Sequence, residues 1–396
     1  MIMRRLIAFT AALCILCCSA ACAEPAGGGY LADFDTAVRY LEEYNPFLPV
    51  IRQQVPGFDA LCAEAREKVW TSCSSTEALY VILSDLFARI GNPGHLNMFG
   101  PETYWNYVWL AEARNRFADG PEARLLDESR TCDLYEAQRP EGEADEPDLE
   151  NWHPVSVSYD SGRKMLYIRI LSFSERLMDR DRDLLLAAFR DHPDTKHIVF
   201  DICGNNGGSD YYWEDLLVAP FGETVTYSGR AFFTDNRLTE DYGLMEDAVP
   251  VSALGSEEIP SFVEELGLTH TVSWTRTILP PEDSSRTLRS GAKRWVLTDE
   301  RVFSAADGFA EFCRQTNWAT VVGRRTRGDG GGLPPYLLRL PETGLLMRFT
   351  AVATANREGE LNTFYGTAPD IPAKPSESPY DAVLRIIDAQ AGAGIP

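Results

Sequence analysis

An apolar strand, Lys196-His-Ile-Val-Phe-Asp-Ile-Cys203, runs straight into Gly204-Asn-Asn-Gly-Gly-Ser209. A second strand, Arg294-Trp-Val-Leu-Thr298, leads to Phe303-Ser-Ala-Ala-Asp307. Adjacent glycines (Gly207, Gly208) after a buried strand permit close backbone approach, and amides in such a turn can point at a developing negative charge. Ser304 stands at the start of a helix as a possible nucleophile. Together the two segments supply an oxyanion-binding turn and a hydroxyl, two parts of an acyl-transfer site. Each also has a plain reading. Serine followed three residues on by aspartate is a helix cap, and glycines end strands without doing chemistry.

These segments need a scaffold, and the chain from Trp152 onward alternates strand and helix. Strands are expected at 155–159, 164–170, 197–203, 294–299 and 319–324, with helices at 181–190, 211–218 and 304–316. That order implies an α/β core with a mainly parallel buried sheet. Residues 336–340 and 345–353 flank Pro341-Glu-Thr-Gly344 as a hairpin, 380–391 is a closing helix, and 220–290 is expected to be a covering insertion. Before the core, residues 30–115 read as a small helical domain. Its clearest helix opens on the capping box Ser74-x-x-Glu77 and ends at Gly91-Asn-Pro-Gly94, which puts His95 at the start of a turn. Residues 116–151 read as an acidic linker, since Asp133–Glu150 holds eight carboxylates against one arginine.

The order of these motifs resembles the carboxyl-terminal processing protease and tricorn-core family of serine peptidases. Asp201-Ile-Cys-Gly-Asn-Asn-Gly-Gly-Ser209 is similar to its "Asp-x-Arg-x-Asn-x-Gly-Gly", and Ser304-Ala-Ala-Asp307 to its "Ser-Ala-x-Glu". Val321-Val-Gly-Arg-Arg-Thr-Arg-Gly328 is similar to "Val-x-Gly-Glu-x-Thr-x-Gly", Gly366-Thr-Ala-Pro-Asp-Ile371 to "Gly-x-x-Pro-Asp", and Ala88–His95 to "Leu-x-Asp-x-His-Thr". The resemblance covers residues 30–115 and 152–390. It implies a crotonase-like fold, Ser304 as nucleophile, and an oxyanion hole built from the N–H of Ala305 with that of Gly207 or Gly208. The linker is too short for the PDZ module that many members carry, so the chain resembles the PDZ-less branch.

The resemblance also points to the base. One branch of the family uses a lysine about 25 residues after the serine, where this chain has Asp329. None of its five lysines lies in a matching segment. The other branch uses a histidine from the front helices, and His95 matches it; imidazole can take the serine proton and pass it to a leaving amine. Departures from the pattern are Pro93, two residues before the histidine, and Arg324, where the family has glutamate. The carboxylate that orients the histidine should lie near Asn362-Thr-Phe-Tyr365, which holds no acid; Glu358 and Glu360 are the substitutes at hand. The expected function is an exported serine-type endopeptidase acting on peptides. The alternative is a degenerate member of the same fold that binds a peptide or a small apolar ligand, since the family includes retinoid binders.

Bulk properties restrict the partners. With 44% apolar and 24% charged residues the chain folds rather than staying disordered, and a net charge of −22 offers no basic stripe for nucleic acid or coenzyme A phosphates. The N-terminus reads as a targeting segment: basic Arg4-Arg5, apolar Leu6–Ala21, and Ala21-Cys22-Ala23 as cleavage site, so residues 1–23 are a signal peptide. Ser19-Ala-Ala-Cys22 also resembles a lipoprotein box with Cys22 lipidated. Either way the mature protein lies outside the cytoplasm, secreted or in the cell envelope, with no integral membrane span. No metal or cofactor is expected, because the cysteines lack ligand spacing. Cys62 and Cys73 are a candidate disulfide. Asp179-Arg-Asp-Arg-Asp183 mimics the start of a calcium loop without its glycine and glutamate, and reads as a solvated helix start. Gly328–Gly332 lacks the Gly-Lys-Ser/Thr of a phosphate loop. Tyr104–Trp109 could line a groove, although core packing is the commoner fate. Oligomeric state is not legible.

Overall fold

A computed structural model of the chain describes residues 28–117, 120–139, 152–288 and 291–392. The expected signal peptide and the end of the expected acidic linker lie outside the described residues. Six strands form the central sheet, in the order Ile371–Pro372, Thr320–Gly323, Lys293–Thr298, His197–Asp201, Met165–Ile170 and Val155–Asp160. Every pairing is parallel except the outermost, between Val155–Asp160 and Met165–Ile170. The chain is thus mixed α/β with a largely parallel central sheet.

Period-2 alternation decides what covers each face. Leu166, Ile168, Ile198, Phe200, Val296 and Val321 point to one side, where they pack with Leu185, Trp213, Phe309, Phe312 and Cys313 from three helices. Met165, Val199, Trp295, Leu297 and Val322 point to the other, against Ala382, Val383 and Ile387 of the C-terminal helix Pro379–Gly392. Both faces are apolar because both are covered, as parallel sheets require. The C-terminal ends of the strands Met165–Ile170, His197–Asp201 and Lys293–Thr298 therefore converge at one edge, and the loops that leave them meet there.

The front helices do not have a core of their own. Phe34, Leu41, Leu79, Leu83 and Phe87 share one cluster with Ala231 and Phe232 and with Leu340, Met347, Phe349 and Val352. Two antiparallel sheets bring those later residues in. One has the order Asn97–Met98, Leu346–Phe349, Tyr336–Arg339, with the expected hairpin as its last two strands. The other joins Ala353–Thr354, Val225–Phe233, His270–Ile278 and Val249–Pro250, so the 220–290 insertion contributes three of this sheet's four strands. The helices of 30–115 are in this sense half of a module that the end of the chain completes. Periodicity showed which helix faces are buried and could not show what buries them.

The start of the linker is also structured. Helices Pro121–Leu126 and Ser129–Ala137 each open on a residue suited to a first turn. Tyr135 stacks on Tyr104 at 4.2 Å and donates its hydroxyl to the Phe99 carbonyl, so the aromatic run 104–109 is partly core. Cys62 and Cys73 are free thiols rather than a disulfide, and the other described cysteines are free as well. No helix among the described residues is long and apolar enough to cross a membrane.

The helix Ala305–Thr316 buries Ala306, Phe309, Ala310, Phe312 and Cys313 beneath the sheet. Its opposite face carries Glu311 and Gln315 into a cleft of about 440 Å³ walled by Ser228, Gly229, Arg230 and Ala355. Burial, and then the neighbouring Asp307 carboxylate, push the Glu311 carboxyl up to about 7 from an ordinary 4.5. The folded chain keeps this proton between pH 4.5 and 7 while the unfolded chain releases it. Its contribution is fully present below pH 4.5 and lost as pH rises through 7. Glu311→Gln should therefore raise the unfolding free energy at pH 8 by about 1–2 kcal/mol and leave it unchanged at pH 4. Denaturant melts at the two pH values check this; an equal gain at both pH values contradicts the assignment.

Candidate active site

Three loops at the sheet edge build the site. The first is the glycine turn. Asn205, fully buried, holds it closed: its Oδ1 accepts the Gly207 N–H at 2.7 Å and its Nδ2 donates to the Ile170 carbonyl at 3.2 Å. The Gly207 carbonyl accepts the Phe173 N–H at 2.9 Å. Across a trans peptide the N–H lies opposite the carbonyl, so the Gly208 N–H points away from Phe173. No acceptor takes it among the described residues. Gly207 has φ 95°, and a Cβ there would stand 2.8 Å from both the Phe303 carbonyl and Ser304 Cβ, and 3.0 Å from the Ala305 nitrogen. Glycine is required because the turn rests directly on the serine loop.

Ser304 comes from the second loop, after the strand Lys293–Thr298. Asp299 ties this loop to the first by accepting the Gly204 N–H at 2.9 Å and the Arg301 N–H at 3.0 Å, and Phe303 N–H donates to the Asn205 carbonyl at 3.1 Å. The Ser304 backbone is at φ 56°, ψ −131°, and its side chain makes no capping bond to the helix it precedes. That separates it from an ordinary N-cap. Ala305 begins the helix, and its N–H, like that of Gly208, has no acceptor among the described residues. The Ala305 amide, next in the chain to the hydroxyl, carries the positive end of a helix dipole, and the Gly207–Gly208 turn rests on the same serine loop.

His95 reaches the serine across 209 residues of chain, with Nε2 2.9 Å from Ser304 Oγ. It closes the short 3-10 turn Pro93–His95, where Asn92, Gly94 and His95 all have positive φ. Gly94 is needed there because a Cβ would enter the Phe47 ring at 2.6 Å. The hairpin strand Leu346–Phe349 pairs with Asn97–Met98 just after the turn, and the Thr350 N–H donates to the Gly94 carbonyl at 2.6 Å. The imidazole lies 4.7 Å from the Phe303 ring and its side chain is only 9% exposed.

The third loop supplies a carboxylate that motif matching had not assigned. Asp329, 3% exposed at its side chain, places Oδ2 3.1 Å from His95 Nδ1. Nδ1 also lies 3.3 Å from Thr350 Oγ1, which has the better hydrogen-bond alignment, so Oδ2 is a buried oxygen with a charge partner but no well-aligned donor. Asp329 Oδ1 accepts the Thr363 hydroxyl at 2.9 Å. Behind it, the buried Asp307 carboxylate accepts the Gly330 N–H at 3.0 Å, Asn362 Nδ2 at 3.0 Å and the Thr326 hydroxyl. Burial pushes the Asp307 carboxyl up, and those hydrogen bonds oppose the shift. Gly330 and Gly331 have no room for a side chain, since a Cβ would meet the Gly308 nitrogen at 2.2 Å and Thr354 Oγ1 at 2.6 Å.

The other candidates fall elsewhere. Glu358 pairs with Arg314 at 2.7 Å and Glu360 with Arg325 at 2.9 Å, so neither orients His95. Each is drawn off by an arginine of its own, Arg314 buried and Arg325 exposed. Arg324, in place of the family's glutamate, donates to the Glu377 carbonyl at 3.2 Å. Asp181 is not solvated: it is fully buried and accepts the Tyr212 hydroxyl at 2.8 Å. The Cys203 thiol is buried, and burial pushes its pKa up. Among the described residues no group of three or more His, Cys, Asp or Glu side chains is placed to hold a metal ion. The missed residue had a signal. Asp329 stands at the position where one branch carries its lysine, inside a run of glycines that only a tightly packed backbone requires.

Solved structures share this architecture. A protein of Parabacteroides merdae ATCC 43184 assigned as a peptidase superposes with a TM-score of 0.53 at 17% identity, over 93% of this chain and 100% of that one. Mature CPAF gives a TM-score of 0.53 at 14% identity, over 93% of this chain and 98% of its own. At these identities the likeness is one of fold. No curated protein matches the sequence. Residues 164–373, which hold the glycine turn, Ser304 and Asp329, match the profile of peptidase family S41 and make up more than half of the chain. The chain belongs to peptidase family S41.

Proposed function

We propose that the protein is an exported serine-type endopeptidase on a crotonase-like fold, with Ser304, His95 and Asp329 as its catalytic residues. The 2.9 Å contact between Ser304 Oγ and His95 Nε2, with a buried carboxylate behind the ring, carries this reading. His95 Nε2 takes the hydroxyl proton as Oγ attacks the peptide carbonyl. The oxyanion forms against the N–H groups of Gly208 and Ala305; the Gly207 N–H is already spent on Asn205. The imidazolium is stabilised by Asp329 and then protonates the leaving amine. Water, deprotonated by the same ring, releases the acyl group. A peptide or protein substrate fits the family, and an extended segment would bind alongside the glycine turn through its backbone.

The rival, a ligand binder without hydrolysis, makes the opposite prediction for a serine-directed probe. A fluorophosphonate should label the mature protein at Ser304. Ser304→Ala should abolish labelling, and His95→Ala should slow it by about 10²–10⁴-fold. Absence of label on the folded wild-type chain favours the binder.

Asp329 and Thr350 both face Nδ1, and their roles separate on substitution. Asp329→Asn should lower kcat by about 10³–10⁴-fold with little change in KM, because an amide cannot balance the imidazolium charge. Thr350→Val should cost less than about tenfold. If Thr350→Val proves the more damaging, the hydroxyl and not the carboxylate orients the ring.

Export is supported by the basic and apolar N-terminal run. The mature N-terminus is expected to begin after Ala23 or at a lipidated Cys22, and mass spectrometry of the extracellular and envelope fractions distinguishes them. An N-terminus still carrying Met1–Ala21 in the cytoplasm contradicts export.

A further inference from the structure

The proposed mechanism leaves unused the cleft beside the serine helix. Its outer part, about 440 Å³, is lined by Glu311, Gln315 and Ala355, and a smaller hollow of about 80 Å³ adjoins it at the same three residues. Gly330, Gly331 and Gly332 line the hollow together with three rings, Tyr227 lying 5.5 Å from Trp274 and 5.1 Å from Phe312. Trp274 Nε1 is a buried donor with no acceptor among the described residues. Neither part is lined by Ser304 or His95. Glu311 follows Ser304 by seven residues, about 10 Å along the helix.

The charges around Glu311 are matched and Glu311 is not. Arg276 is held by Asp210 at 3.3 Å and Glu214 at 3.5 Å, and Arg230 by Glu258 at 3.0 Å. Arg314 is held by Glu358 at 2.7 Å and Asp370 at 3.2 Å, and Arg357 donates to the Arg314 carbonyl at 2.9 Å. Among the described residues no arginine or lysine lies within ion-pair distance of Glu311, whose carboxylate accepts only the Thr367 hydroxyl, at 3.3 Å. Burial and the Asp307 carboxylate raise its pKa to about 7, Arg314 opposing and Glu358 adding to the shift. A buried carboxylate without a cation is favoured by any cation that reaches it. One carboxylate is too few for a calcium ion, which takes six to eight oxygens. A narrow hollow with ring walls instead suits a slim apolar stem that ends in a charge.

We propose that this cleft is a binding site for a primary ammonium group on an unbranched alkyl stem, with Glu311 holding the ammonium and the rings of Tyr227, Trp274 and Phe312 holding the stem. The site is separate from the Ser304–His95 pair, and the inference stands whether or not the protein hydrolyses peptides. A lysine side chain of a polypeptide and a free alkylamine share this chemistry. The ammonium stays protonated up to about pH 10. Glu311 is charged above pH 7 and neutral below it, so the ammonium meets a carboxylate only on the alkaline side. Binding at lower pH must first expel the proton, and it weakens accordingly. The other acids of the cleft, Asp210 and Glu258, already have arginine partners and do not supply this pH dependence.

Isothermal titration of the folded protein with three probes tests this: N-acetyl-lysine methylamide, its neutral counterpart N-acetyl-norleucine methylamide, and n-butylamine. At pH 8 the lysine amide should bind about tenfold tighter than the norleucine amide. Lowering the pH to 5.5 should weaken the lysine amide about 30-fold and leave the norleucine amide unchanged. Glu311→Gln should bring the lysine amide down to the norleucine value at both pH values, and circular dichroism confirms that this variant is folded. Equal affinity of n-butylamine and the lysine amide assigns a free amine, whereas a tighter lysine amide assigns a polypeptide side chain. Equal binding of the lysine and norleucine amides at pH 8, no binding of either, or an ammonium preference that survives Glu311→Gln overturns the proposal. Labelling of Ser304 by a fluorophosphonate, run in parallel, reports on the peptidase reading alone, so the two can fail separately.

Discussion

Ser304, His95 and Asp329 all hold positive φ, at 56°, 59° and 67°, and none is glycine. Backbone of this kind costs about 1–3 kcal/mol per residue and persists only where the surroundings over-determine it. Here each loop is pinned from both sides. The Ser304 N–H donates to the Gly328 carbonyl at 2.9 Å, next to Asp329, and Phe303 bridges Gly328 in parallel fashion. The His95 turn is held by the hairpin through Thr350 and by Asn97 Nδ2 on its own carbonyl at 2.8 Å. The strain is thus shared among elements from both ends of the chain, and the three side chains converge only when all of them have folded. That dependence explains why the front helices share one core with strands after residue 230: a histidine from a separately folding domain could be placed less accurately.

The glycines follow from the same constraint. Gly207, Gly208, Gly328 and Gly330 each bring one backbone against another where a Cβ would fall within 3 Å of a neighbouring atom. Asp307 is the polar counterpart of this packing. It sits one turn into the serine helix and holds the Gly330 amide, so the same helix that presents Ser304 also fixes the loop that presents Asp329. The family's orienting carboxylate is expected near Asn362–Tyr365, and that segment still takes part. Thr363 donates to Asp329 and Asn362 to Asp307, so the segment supports a carboxylate carried by another loop.

Much of this was legible in the sequence. The parallel core, the hairpin, the glycine turn and the serine-first helix follow from alternation, turn residues and motif order. Asp329 was not read as an acid partner because its position was compared with a lysine of the family, and chain position does not reveal which loop faces the imidazole. The helices at 121–137 were hidden for a related reason. Acid-rich composition marks solvent exposure on average, whereas Tyr135 and Leu126 bury one face of that stretch. That the front helices share their core with later strands was not legible, because an amphipathic helix records the polarity of its partner and nothing about its place in the chain.

The orphaned Asp329 oxygen bears on catalysis. A buried carboxylate oxygen without an aligned donor is costly in the resting protein. Its nearest donor is His95 Nδ1, and the cost falls when that ring becomes charged, since attraction to an imidazolium does not depend on the alignment that a neutral N–H requires. In the mechanism proposed above, charge appears on the ring as Ser304 attacks. On that mechanism the resting arrangement improves along the reaction coordinate, the kind of differential stabilisation that raises kcat rather than merely tightening binding. On the same proposal Thr350 holds the neutral ring beforehand, and Asp329 acts once the proton has moved.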